Sequence, residues 1–171
     1  MSRIITDEKV LRTPCEPVKY RSEGGVIARK LFDALARHNK RARKPLSVVE
    51  DKLGRNRQLG AGLAAPQIGT HKSVCIFSVN GLVTVLMNPV IVEHSTVRIP
   101  FKEGCLSFPG KQVETWRYIW VKVDTLNHGL ITRGPTDPSA MNSHELFRSV
   151  VAQHEIDHLL GVLMFDRTKE E

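Results

Sequence analysis

NSHELFRSVVAQHEIDHLLG, residues 142 to 161, is the stretch from which the rest of the chain is read. At its centre is HEIDH, His154 to His158. At about 100° and 1.5 Å per residue, side chains four positions apart stand on one helix face, one turn apart, so both His can reach one metal ion. Glu155 stands beside them, and the pattern reads as two zinc-type ligands with a glutamate ready to handle the proton of a water. The alternative is a chance match on a solvated helix. Against it, Asn142 with Glu145 three residues on gives an N-cap signal, and Phe147, Val150 and Val151 continue the face of the two His. That face points inward, and a buried imidazole pair without a partner is costly, so ligation is favoured. Gly161 is read as the C′ residue that closes the helix.

A third protein ligand is needed. In HExxHxxGxxH enzymes it is a His three residues after the glycine, but Met164 occupies that place. A Glu some twenty residues further on would fall beyond Glu171, so the third ligand is expected upstream. With few residues following Gly161, no C-terminal helix is expected after the motif helix.

The 171 residues, 41% of them apolar, suit one domain with a real core spanning 1–171. No apolar run has signal-peptide length, and none approaches the roughly 18 residues of a membrane span, so a cytoplasmic chain with no membrane partner is expected. Cys15, Cys75 and Cys105 are an odd number at wide spacings, which fits a reducing compartment rather than a disulfide framework.

Ile27, Leu31 and Leu35, with Val26 and Ala34 alongside, give residues 24 to 37 the period of one N-terminal amphipathic helix. The next segment, 37 to 58, holds eight Lys or Arg against two acids and so supplies +6 of the chain's +7. Pro45 and Gly54 mark it as a loop insertion. Such a patch could meet ribosomal RNA through phosphates, but it has no aromatic residue to stack on bases, so specific nucleic-acid binding is not expected. A solvated loop is the plainer reading.

From Lys72 the period becomes that of strands. KSVCIFSV, Asn80-Gly81 and LVTVLMNPVIV read as a hairpin with a type I′ turn. Further strands are expected around Val92 to Ile99 and Tyr118 to Leu126, and 133 to 142 is a turn-rich connection. Two glycine-bearing stretches fall where strands should end. GAGLAAPQIG, residues 60 to 69, lets a backbone or substrate approach closely and is not a nucleotide-binding loop, since Pro66 and the hairpin follow. EGCLSFPG, residues 103 to 110, sets Cys105 between Gly104 and a Pro109-Gly110 turn. Cys105 is the leading candidate for the missing ligand, against the default of a small buried hydrophobe, which suits Cys75.

GAGLAAPQ, EGCLS and HEIDH, in that order, together with the opening DEKVLRTPCEPV, resemble the peptide deformylase family over most of the chain. The resemblance implies an α+β fold whose antiparallel sheets surround the motif helix. It implies a divalent metal, commonly Fe2+ with Zn2+, Ni2+ or Co2+ as substitutes, held by Cys105, His154 and His158. It also implies the reaction, removal of the formyl group from N-formylmethionine on newly made polypeptides. Glu155 would be the proton carrier, and Gln67 and the backbone N–H of Leu106 the donors to the developing oxyanion.

An apolar pocket for the methionine side chain is expected from Phe147, Val150 and Val151 on the ligand face, completed by Phe101 and Ala61. Gly62 would let the substrate backbone pair along a strand edge, and Gly104 lies beside the ligand cysteine. Ribosome docking through the 37–58 loop and a monomeric state complete the expectations. The competing functions are a zinc peptidase cutting internal bonds and a noncatalytic RNA binder with a structural metal.

Overall fold

The computed structural model describes residues 3–42, 61–137 and 143–169. It contains a short helix α1 (Glu8–Leu11), a long helix α2 (Arg21–Ala42) and the motif helix α3 (Ser143–Leu159). Three antiparallel sheets lie between α2 and α3 in sequence. β1 (Gly62–Ala64), β2 (Val74–Val79) and β3 (Leu82–Met87) form the first in that order. β4 (Val90–His94), β7 (Val121–Thr125) and β8 (Gly129–Arg133) form the second in the order β4-β7-β8, and β5 (Arg98–Gly104) pairs with β6 (Gln112–Tyr118). The α+β class and the antiparallel pairing agree with the sequence.

Strand β2 shows how the layers arise. Successive strand side chains point to opposite faces. Val74 and Ile76 enter one core with Ile27, Leu31 and Leu35 of α2; Cys75, Phe77 and Val79 enter another with Val151, Ile156 and Leu159 of α3. Both faces are covered, which is why VCIFSV is apolar throughout instead of alternating. Burying one such Leu or Val stabilises the fold by about 1.5–3 kcal/mol. Asn80 (φ 54°) and Gly81 (φ 77°) both take positive φ, as the expected type I′ turn requires.

Several boundaries differ from expectation. There are two N-terminal helices rather than one, because Asp7 caps α1 by accepting from the Lys9 N–H at 2.9 Å. Helix α2 runs through Ala42, so residues 37 to 42 of the presumed basic loop are helical; Lys, Arg and Ala are good helix formers whatever their charge. Residues 43 to 58 of that insertion lie outside the described residues, as does the Asn142 cap. Val26 is exposed, one step off the packed stripe. The run LVTVLMNPVIV is two strands, broken at Asn88 (φ 50°) before Pro89. The strand expected around Val92 to Ile99 is likewise split between β4 and β5, and β8 was not anticipated.

Helix α3 ends in a Schellman closure. The Val162 N–H donates to the Asp157 carbonyl at 2.9 Å and the Gly161 N–H to the His158 carbonyl at 3.3 Å, with Gly161 at φ 74°. A Cβ at Gly161 would lie 2.4 Å from the Arg12 carbonyl oxygen, so the N-terminal arm packs directly on this turn. The Cys15 N–H donates to the Leu159 carbonyl at 2.8 Å, and Arg12 pairs with Asp166 at 2.8 Å. Beyond α3 the described residues hold one 3-10 turn, Met164–Arg167.

Candidate metal centre

Three elements deliver the chemistry. Strand β1 and the 3-10 turn after it (Ala65–Ile68) carry Gly62 and Gln67, the end of β5 carries Glu103 to Cys105, and α3 carries His154, Glu155 and His158. One potential ligand atom from each of Cys105, His154 and His158 lies within 4.8 Å of the others, and Cys105 Sγ is 3.2 Å from His158 Nε2. All three side chains are largely withdrawn from solvent.

His154 and Cys105 are oriented by neighbouring side chains, whereas His158 Nδ1 has no hydrogen-bond partner among the described residues. Glu103 Oε2 lies 2.7 Å from His154 Nδ1, which leaves Nε2 for the centre. Glu103 is itself held by Arg117, with Nε–Oε1 2.5 Å and Nη2–Oε2 3.0 Å, and by the Thr115 hydroxyl. Arg117 reaches onward to Asp157 at 2.5 Å, and Arg167 closes the far side of Asp157 at 2.7 Å. Burial alone would raise the Glu103 pKa, but the hydrogen bonds from His154 and Arg117 outweigh it and bring it down to about 2. Gln67 is fixed by the Ala64 N–H donating to its Oε1 at 2.7 Å. Its Nε2 is shared between Cys105 Sγ at 3.5 Å and the Ser107 hydroxyl at 3.1 Å.

The donor set fits a divalent cation. One thiol and two imidazoles form a soft, nitrogen-sulfur set with room for an open position. Burial works against a charged His154, yet hydrogen bonds to Cys105 and Glu103 carry its pKa well above the imidazole range. At His158 burial, together with the charges of His154 and Arg117, pushes the pKa well down and keeps the ring neutral, as a ligand must be. Burial raises the Glu155 pKa to about 7, against the His154 charge and with that of Glu103. Glu155 Oε2 is buried without a hydrogen-bond partner among the described residues, a polar atom awaiting a ligand or water.

A cavity of about 130 Å³ opens beside this cluster. Ala61, Gly62, Gln67, Phe101, Gly104, Leu106, Phe147, Val150, Val151 and Glu155 all line it, together with Cys105 and His154. The structure thus brings the residues singled out in the sequence around one space; His158 stands behind His154, with ring centroids 4.9 Å apart. Phe101 and Phe147 face each other at 6.2 Å. Gly62 is demanded by packing, since a Cβ there would fall 2.3 Å from Glu155 Oε1.

Sequence reasoning missed Glu103, Arg117, Asp157 and Ser107. A signal existed for Arg117: it sits on the inward side of QVETWRY with Thr115, where a charge requires a buried partner. Its partners follow only once β5 and β6 are paired. Lys102, at the mouth of the cavity, was also passed over.

Comparison with known proteins agrees with this geometry. The family model for polypeptide deformylase matches residues 1–171. A peptide deformylase of Aquifex aeolicus is 44% identical over 117 residues, covering 64% of this chain and 64% of its own. The chloroplastic/mitochondrial peptide deformylase 1B of Arabidopsis thaliana is 38% identical over 117 residues, 66% of this chain but 40% of its own length. Among solved structures, a peptide deformylase from Plasmodium falciparum superposes with TM-score 0.73 at 25% identity, covering 98% of this chain and 87% of that one. The peptide deformylase of Thermotoga maritima gives 0.65 at 27% identity, with 99% of both chains covered. With the whole chain matched and the ligand cluster, the cavity and the three sequence motifs in one place, the chain belongs to the polypeptide deformylase family.

Proposed function

We propose that this protein hydrolyses the formyl group from the N-formylmethionine of newly made polypeptides, with Cys105, His154 and His158 holding one divalent metal, Fe2+ in the first place. The observation that carries this reading is the buried Cys/His/His cluster beside Glu155, whose Oε2 has no hydrogen-bond partner among the described residues, at a cavity that Phe101, Phe147, Val150 and Val151 help to line. The metal, when bound, supplies Lewis acidity that polarises the formyl carbonyl and acidifies water.

The chain's own residues do the rest. Phe101, Phe147, Val150 and Val151 receive the methionine side chain and exclude water around the scissile amide. Glu155 accepts the proton of the attacking water at its free Oε2 and returns it to the departing amine nitrogen. The C–N bond of the formamide breaks, giving formate and a free amino terminus. The Leu106 N–H and the Gln67 Nε2 donate to the oxygen as negative charge develops; Gln67 releases one of its present contacts to do so, and Ala64 keeps its other end fixed.

Three free cysteines support a reducing compartment, for which we propose the cytoplasm, with the protein a monomer; no helix among the described residues is long and apolar enough to cross a membrane. Docking to a ribosome through the basic 37–58 segment rests on its charge.

Formate release from a formyl-Met peptide, measured together with metal content of anaerobically prepared protein, tests the assignment. Cys105→Ser should lose metal and turnover together, because a neutral hydroxyl replaces a soft anion. Air or peroxide should inactivate the iron form faster than the nickel or cobalt form. Full activity of metal-free protein, or of Cys105→Ser with its metal unchanged, would overturn it.

A further inference from the structure

Lys102 stands at the entrance of the cavity with no ion-pair partner among the described residues. It is exposed and borders the same space as Phe101 and Glu103, and by strand alternation its side chain turns outward, to the other face of β5. The other charged groups on that lining lie inside: Glu103 is held by Arg117, Thr115 and His154, and Glu155 is buried against Gly62. Glu114 is directly across from Lys102 in the β5–β6 register, yet the two form no ion pair. The ammonium therefore remains available to a group arriving from outside.

The direction of arrival follows from the sheets. Among the described residues β1 pairs only with β2 and β5 only with β6, and residues of both β1 and β5 line the cavity. Two strand edges facing one cleft invite an extended peptide, whose backbone pairs while its side chains alternate. A peptide with its first side chain among Phe101, Phe147 and Val151 carries the next ones outward past Lys102.

Resting on the deformylase reading, we propose that Lys102 selects among substrates, favouring formylated peptides that carry an acidic side chain at the second or third residue. The effect is that of a partly solvated charge pair: about five- to tenfold in kcat/KM between an acid and a base at the responsive position, diminishing with salt.

The test measures formate release from formyl-Met-X-Ser and formyl-Met-Ala-X, with X as Glu, Gln or Lys, by the metal-loaded enzyme. Binding of the product peptides Met-X-Ser and Met-Ala-X is measured in parallel by calorimetry. The order Glu, Gln, Lys is expected at one of the two positions in both measurements, and Lys102→Glu should reverse it. Rates within twofold for all three at both positions, or an order that survives Lys102→Glu, would overturn the proposal while leaving the deformylase reading standing. No formate from any peptide would overturn both. Lys102 is solvent-exposed, so its replacement leaves the packing of the fold untouched.

Discussion

Helices α2 and α3 cover opposite faces of β2 and are held by opposite means. α2 buries one stripe, Ile27, Leu31, Ala34 and Leu35, and leaves Arg29, Lys30 and Arg37 in water. α3 is enclosed along its last three turns and buries Ser149, Gln153, Glu155, Asp157 and His158 as well as its apolar residues. A stripe needs only apolar surface to meet. A buried polar group needs a particular partner, and α3 finds most of them: Ser149 and Gln153 both donate to the Tyr118 carbonyl, Asp157 takes Arg117 and Arg167, and His154 takes Glu103. What stays unmatched on α3 among the described residues, Glu155 Oε2 and His158 Nδ1, belongs to two residues of the candidate metal centre. Function sits where packing leaves polar groups open.

The strongest way to break this contrast is Glu155→Gln. Shape is kept but the proton acceptor is gone, so turnover should fall by about two to four orders of magnitude while metal content stays near that of the unsubstituted protein. Retention of more than a tenth of the turnover would remove Glu155 from its role. Next is Arg117→Met, which leaves Glu103 and Asp157 buried without their cation and should cost about 3–5 kcal/mol in urea unfolding. Combining it with Glu103→Gln and Asp157→Asn should recover much of that loss; an equal or larger loss would mean the network is needed for more than charge balance.

On the other helix, Leu31→Ala should cost about 3 kcal/mol through the cavity it opens and leave kcat/KM unchanged at a temperature where the variant is folded. A large fall in kcat/KM would show that α2 communicates with the site. The smallest effect is expected at Asp166→Asn, about 0.5–1 kcal/mol, since the pair with Arg12 is partly exposed. Its sign is fixed by the lowered Asp166 pKa, caused first by the Arg12 hydrogen bond. The stabilisation is present above the unfolded carboxylate value and is lost as pH falls through the folded one, so the two proteins should converge in acid. A difference that persists there would assign the effect to the bond Asp166 accepts from the Leu163 N–H.

What could be read in advance was local. The HEIDH spacing, the Asn80-Gly81 turn and the α2 stripe each depend on residues a few positions apart, and each lies where the pattern places it. Glu103, Arg117 and Asp157 are 14 and 40 positions apart along their bonds, so no window of sequence contains the network. Boundaries failed where two rules conflict: residues 37 to 42 are charged enough to suggest a loop, yet their helix propensity keeps α2 going. The strand break at Asn88 was masked by apolar residues on both sides. Lys102 was overlooked because an exposed lysine on a strand is ordinary until the cavity beside it is known.

The Gly161 turn has a consequence for how the protein is made. Arg12 packs on it and pairs with Asp166, 154 positions later, and Cys15 bonds to Leu159. The first strands and α2 can assemble while the chain is still being synthesised, but the arm of residues 5 to 15 must wait for its seat. The proposed metal must wait too, since two of its three candidate ligands lie beyond position 153. Contacts this distant form late in folding and at high entropic cost. By the deformylase reading, an enzyme that acts on the beginnings of other nascent chains stays inert until its own residues 154 to 158 have been made and have folded. It gains its metal and the anchoring of residues 5 to 15 in the same step.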